Sequence, residues 1–181
     1  MKKRLTLIVL FALFIAIPMV KAQTPAAPPD SSIFKDTTNY TKYEGKVKDY
    51  IQWFIKSPIN KNIVLRNQIA TFLLDWITGS PSVTISFGSA ANPMEDYKAN
   101  QYNADLMGAY LGGMVLYELK NPKDQDYVNI ETAGLESVLE MIKNNTALLA
   151  DNKAAKKFKA MDKDALAKYV KDCVASDEKK K

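Results

Sequence analysis

The sequence predicts an all-α protein, a compact bundle of five to six helices with one short extended segment around residues 83–87. Three observations carry this expectation. From residue 40 onward apolar residues recur every three or four positions, and Gly, Pro or Asn breaks that pattern at helix-length intervals. The third is bulk: 181 residues, 47% apolar and 25% charged, suffice for about one domain.

The first helix places Tyr43, Val47, Tyr50, Ile51, Phe54 and Ile55 on one face and stops before Ser57-Pro58. The second, roughly 60–78, aligns Leu65, Ile69, Phe72, Leu73 and Trp76, and Gly79 just past its end is expected to form a left-handed cap. Gln68, Thr71, Asp75 and Thr78 make the opposite stripe, so Asp75 reads as a solvated carboxylate rather than a catalytic one. Residues 79–91 lose the helical period, and Val83, Ile85 and Phe87 alternate there with Thr84 and Ser86 as an extended stretch. Asn92-Pro93-Met94-Glu95 then reads as a helix start, with Asn92 as N-cap and Pro93 in the first turn.

The segment 103–120 is the most informative. Leu106, Met107, Tyr110, Leu111, Met114 and Val115 supply apolar surface, while Ala104, Gly108 and Gly112 recur every four residues, with Gly113 adjacent. Each interior Gly costs about 1 kcal/mol of helix stability relative to Ala, so the stripe needs a compensating close approach by another helix. A self-association face and the floor of a ligand pocket are the alternatives. A helix over 126–144 carries Val128, Leu135, Val138, Leu139 and Ile142. The Ala- and Lys-rich stretch 148–161 is expected to form one short helix, and 162–174 a last one, with Asp162 as N-cap and Leu166, Tyr169, Val170 and Cys173 on one face. Cys173 reads as a small buried hydrophobe.

The ends differ in character. Residues 1–22 begin with Lys2, Lys3 and Arg4, continue through an apolar run from Leu5 to Val20 and close on Lys21-Ala22, the pattern of a secretory signal peptide cleaved after Ala22. The apolar run is shorter than the ~20 residues of a spanning helix. Residues 23–39 read as a flexible Pro/Ser/Thr-rich leader, 40–175 as a single helical domain and 176–181 as a charged tail.

Cleavage would remove four basic residues and leave 21 basic against 20 acidic, so the apparent pI of 9.1 belongs largely to the leader and nucleic-acid binding is not expected. Charge is uneven along the remainder: residues 91–150 hold 4 basic and 9 acidic groups, and 151–181 hold 10 and 6. These segments are expected to attract each other or to be solvated. The lysines at 153, 156, 157, 159 and 163 offer a sharper alternative, contact with an anionic envelope surface.

The chain contains no His, which removes Ser-His-Asp and Cys-His nucleophile pairs and His-ligated zinc. One Cys removes an intrachain disulfide and any Cys-rich metal site. No phosphate-binding loop or dinucleotide fingerprint occurs, and Asp124-x-Asp126 and Asp162-x-Asp164 lack the rest of a calcium loop. Neither a metal nor a cofactor is expected. Glu136-Ser137 matches the Glu-Ser of lytic transglycosylases, but a two-residue match leaves carboxylate-dependent glycan hydrolysis the weakest of the readings.

Phe87 in the extended segment, with Tyr97 and Tyr102 before the next helix, are the candidate binding residues, because aromatic side chains near helix starts favour recognition surfaces. The signal ending at Ala22-Gln23, the run from Phe72 to Pro81 and the later Ala104-Asp105-Leu106 to Gly112-Gly113 resemble small exported proteins of unassigned function from Bacteroidota-type bacteria. That resemblance implies export and brings no activity. The sequence therefore leads to an exported protein, periplasmic or secreted, that binds another envelope protein as an inhibitor, immunity-like or chaperone-like module. A carrier of a small lipid or glycan against Gly108 and Gly112 is the alternative.

Overall fold

The computed structural model describes residues 23–98 and 100–179. The expected signal peptide, 1–22, lies outside the described residues, as do Lys180 and Lys181 of the expected tail.

The protein is all-α, with α1 Thr38–Lys56, α2 Ile63–Gly79, α3 Asn103–Lys120, α4 Tyr127–Asn144, α5 Lys153–Lys159 and α6 Lys163–Glu178. Two 3-10 turns, Ser31–Lys35 and Ser89–Met94, complete the regular structure of the described residues. Among the described residues no helix is long and apolar enough to cross a membrane. Helix starts follow local chemistry. Asp126, Asn152 and Asp162 each cap with a side-chain oxygen, accepting from Val128 N, Ala155 N and Ala165 N at 2.8 Å. Before α2, Asn62 takes a left-handed φ of 51°, a conformation Asn tolerates better than most residues with a Cβ.

Helices α3 and α4 form the most extensive pair, and α1 packs on both. The α3 glycines explain this arrangement. A Cβ on Gly108 would lie 2.9 Å from the Phe54 ring and one on Gly112 2.7 Å from Ile51 Cγ2, so this face of α3 receives α1. Gly113 faces the other way, where a Cβ would come within 2.6 Å of the Ala133 carbonyl oxygen on α4. Gly134 of α4 answers it, lying under the Tyr110 ring and Met114. The loss of helix propensity is thus offset by backbone proximity on two faces. Ala104, assigned to the same packing stripe by its spacing, is exposed.

Several expectations need correction. Gly79 adopts no left-handed cap; it is the last residue of α2, and a Cβ there would run into the Tyr40 hydroxyl, so steric room rather than φ explains the glycine. Asn92 caps no long helix. Its segment is the 3-10 turn Ser89–Met94, which buries Ala90, Ala91 and Met94 and ends at Glu95. The leader is not featureless, since the turn Ser31–Lys35 seats Phe34 in the core, stacked on Tyr40 at 4.9 Å and tilted against Phe72 at 5.1 Å. The last helix runs through the start of the expected tail to Glu178, and Cys173 is half-buried rather than enclosed.

One buried charge organises the α1–α2–α3 junction. Arg66 of α2, 2% exposed, meets Asp105 at 2.7 Å, donates to Phe54 O and Ser57 Oγ, and stacks 4.1 Å from the Phe54 ring centroid. Each donor of the guanidinium fork that points inward therefore has an acceptor, which burying a cation requires. Its position was legible, because Arg66 shares the helical spacing of Ile69, Leu73 and Trp76.

Candidate functional site

Residues 83–88 carry no helix and pair with no strand. Their backbone donors must therefore be satisfied elsewhere. Four helices send a carboxylate to this strap and its flanks. Glu44 of α1 accepts from Ser82 Oγ at 2.7 Å, Glu118 of α3 from Thr84 N at 2.7 Å, and Asp177 of α6 from Ser89 N at 2.8 Å. Glu131 of α4 accepts from the Gly88 N–H. Tyr127 Oη also donates to Ser86 Oγ at 2.7 Å. A carboxylate binds backbone N–H groups more strongly than a neutral acceptor does, which holds an unpaired segment in one path.

The strap and α6 enclose a cleft of about 480 Å³. Its walls are Phe87, Gly88 and Ser89 on one side, Tyr127 and Glu131 of α4 beneath, and Val174, Asp177 and Glu178 of α6 opposite, with Glu95 at the rim. Phe87 is 62% exposed and Tyr127 is exposed, so both present aromatic surface to solvent. Among the described residues four carboxyl groups line the cleft and no Lys or Arg does. Among the described residues no three His, Cys, Asp or Glu side chains converge closely enough to hold a metal ion.

Glu131 is the unusual member. It is 1% exposed, and its Oε2 has no hydrogen-bond partner; nor do the nearby buried Tyr110 Oη and Thr132 Oγ1. Burial raises this carboxyl to about 7, the Asp177 charge adds to the rise, and the hydrogen bond from the Gly88 amide opposes it. Burial likewise pushes Tyr110 upward, with the Glu131 charge second. Tyr169 rises for the same reason, with Cys173 as its next cause. The interior between α3, α4 and α6 thus holds a carboxyl poised between its two charge states near neutrality.

The three aromatic candidates do not form one site. Phe87 belongs to the cleft. Tyr102 lines a separate groove of about 230 Å³ beside Arg66 and Asp105, and Tyr97 is exposed and lines neither. Sequence reading missed Glu131, Glu118 and Asp177. The available signal was that Glu118 and Glu131 each occupy an inward position of an apolar helix, four residues after Met114 and four before Leu135.

The remaining candidates are placed as follows. The space between α1, α2 and α3 beside Gly108 and Gly112 measures about 50 Å³, far below the ~300 Å³ at which small-molecule sites begin. Glu136 is exposed and lies 3.6 Å from Lys163. Of the lysine group, Lys156 pairs with Asp151 at 3.0 Å and Lys157 sits 4.4 Å from the Tyr169 ring centroid, so three of the five have local partners. Compared with protein-family models, curated proteins and solved structures, the chain matches none.

Proposed function

We propose that this protein is an exported binding module of the cell envelope, periplasmic or secreted, which engages another envelope protein through the cleft under Phe87. The observation that carries this reading is the strap. An extended segment held by carboxylates from four helices keeps a large aromatic side chain in water beside a formed cleft. Exposing Phe87 forgoes about 1.5–3 kcal/mol of burial, which a protein–protein contact would recover. Export rests on the basic-then-apolar N-terminus and on the resemblance to small exported proteins. A carrier role against Gly108 and Gly112 receives no comparable support, since the space there is about 50 Å³.

A photo-reactive amino acid at position 87, expressed in the native envelope, tests the reading. The expected result is one defined cross-linked protein, absent when the same group is placed at the exposed Asp75 on α2. Equal, diffuse cross-linking from both positions overturns it. Cell fractionation with sequencing of the amino terminus tests export, with Gln23 expected at the start of the exported chain.

A further inference from the structure

We propose that the groove crossing α2 at Asn67 is a second binding site, which takes a short neutral oligosaccharide. It shares no residue with the cleft under Phe87 and does not rest on the interaction reading above. Two hollows have Asn67 as a common wall, one of about 230 Å³ reaching Tyr102 and one of about 500 Å³ reaching the turn Ser31–Lys35. They flank α2 between Ile63 and Phe72, about 13 Å of helix at 1.5 Å per residue, a length suited to a few linked sugar rings.

The lining matches the chemistry of sugar hydroxyls. Each hydroxyl both donates and accepts, and an Asn or Gln side chain offers both functions on one plane. Asn60, Asn67 and Gln101 line the first hollow, and Asn67, Gln68, Thr71 and Ser31 line the second. Asn60, Asn67, Gln68 and Gln101 are exposed, and among the described residues their side chains bond to no other protein group, so their hydrogen-bonding capacity is open to a ligand. Tyr102 and the 51% exposed Ile63 add apolar surface to the first hollow, the complement of the C–H face of a pyranose ring.

The second observation is the ion pair. Arg66 lines the first hollow although it is only 2% exposed, and both of its contacts with Asp105 fall on Oδ1, at 3.2 and 2.7 Å. Among the described residues Asp105 Oδ2 accepts from no protein group, while the side chain stays 22% exposed. The hollow thus holds a strong acceptor for a hydroxyl whose charge is already balanced, which suits a neutral ligand better than an ion. The walls are also fixed in advance: Ile59 N donates to Asn145 Oδ1 and Tyr102 N to Asn100 Oδ1, both at 2.9 Å, and Phe54 O and Ser57 Oγ clamp Arg66. Little ordering is then needed on binding. An extended peptide fits less well, because among the described residues no strand edge borders the groove to pair with its backbone.

NMR titration of the purified, nitrogen-15-labelled protein with chitotriose, maltotriose and mannotriose tests the proposal. At least one of these neutral trisaccharides is expected to shift the side-chain amide signals of Asn60, Asn67 and Gln101, with an affinity that added salt leaves unchanged. Asn67→Ala keeps the fold, since Asn67 is exposed and Ala is the better helix former, and it is expected to weaken binding about five- to tenfold. Tyr102→Ala should weaken it by a similar factor, whereas Gln52→Ala on the exposed side of α1 should leave it unchanged. No shift with any of the three sugars, shifts confined to other residues, or an unchanged affinity in Asn67→Ala overturns the proposal. Trialanine binding as tightly as the best sugar transfers the groove to peptides and overturns the sugar assignment.

Discussion

Glu131 of α4 and Gly88 of the strap lie so close that no side chain fits at position 88: a Cβ there would run into Glu131 Oε1. The contact joins the site to the core, because the carboxyl that holds the strap is also the buried group between α3, α4 and α6. A glycine in a loop of this kind is ordinarily explained by backbone freedom. Here the requirement is space for a buried acid, and Gly88 has no positive φ.

Glu131 gives the protein a definite pH dependence. Its folded-state value is raised from 4.5 to about 7, so the folded protein holds a proton that the unfolded chain releases between those values. Stability from this group therefore falls as the pH rises from about 4.5 to 7, by on the order of 1–3 kcal/mol. Glu131→Gln mimics the protonated acid. It is expected to melt higher than the parent at pH 8, to match it near pH 5 and to flatten the profile between them. A variant that melts lower at pH 8 contradicts this account.

The glycines of α3 and α4 should separate by what lies above them. Gly113→Ala forces a methyl group against the Ala133 carbonyl and is expected to cost about 2–4 kcal/mol despite alanine's better helix propensity. Gly45→Ala on the exposed face of α1 meets nothing within 4 Å and should stabilise by about 0.5–1 kcal/mol. Urea denaturation of the two variants reads both signs.

Arg66 makes the cost of an unpaired buried charge measurable. Asp105→Ala leaves the guanidinium without its carboxylate and is expected to lose about 3–5 kcal/mol, whereas Asp105→Asn keeps one acceptor and loses less. Replacing both partners by apolar residues, Arg66→Met with Asp105→Leu, should recover most of the loss. A double variant as unstable as Asp105→Ala would show that the pair itself, not the unpaired cation, is what matters.

Phe34 tests whether residues ahead of α1 belong to the folded unit. Its ring lies between Tyr40 and Phe72 and is buried. Phe34→Ala is expected to destabilise by about 3 kcal/mol, and proteolysis should then cut ahead of α1 more readily. A mobile leader would give no change in melting temperature.

Much of the helical architecture was open to reading because it rests on local periodicity. The faces of α1, α2 and α6, the cap at Asp162 and the tight packing at Gly108 and Gly112 each follow from residues within one or two turns. Phe34 was misjudged because a single aromatic in a Pro- and Ser-rich stretch has no periodic neighbours, and its partners Tyr40 and Phe72 lie on two different helices. The 3-10 turn Ser89–Met94 was mistaken for a helix start because Asn-Pro-x-Glu satisfies the same capping chemistry whether or not a helix follows. Phe87 could be named in advance as an aromatic in an extended stretch, but nothing local distinguished it from Tyr97 and Tyr102.

By itself the sequence determined the helices, their apolar faces, the absence of imidazole chemistry and the uneven charge, since these depend on residue type and short-range spacing. Only the tertiary structure decided that Glu44, Glu118, Glu131 and Asp177 converge on one strap. They sit on four helices, separated by as many as 133 positions in the chain, and each taken alone is an ordinary acidic residue. What brings them together is the need of an unpaired extended backbone for acceptors, which exists only once the helices have packed around it.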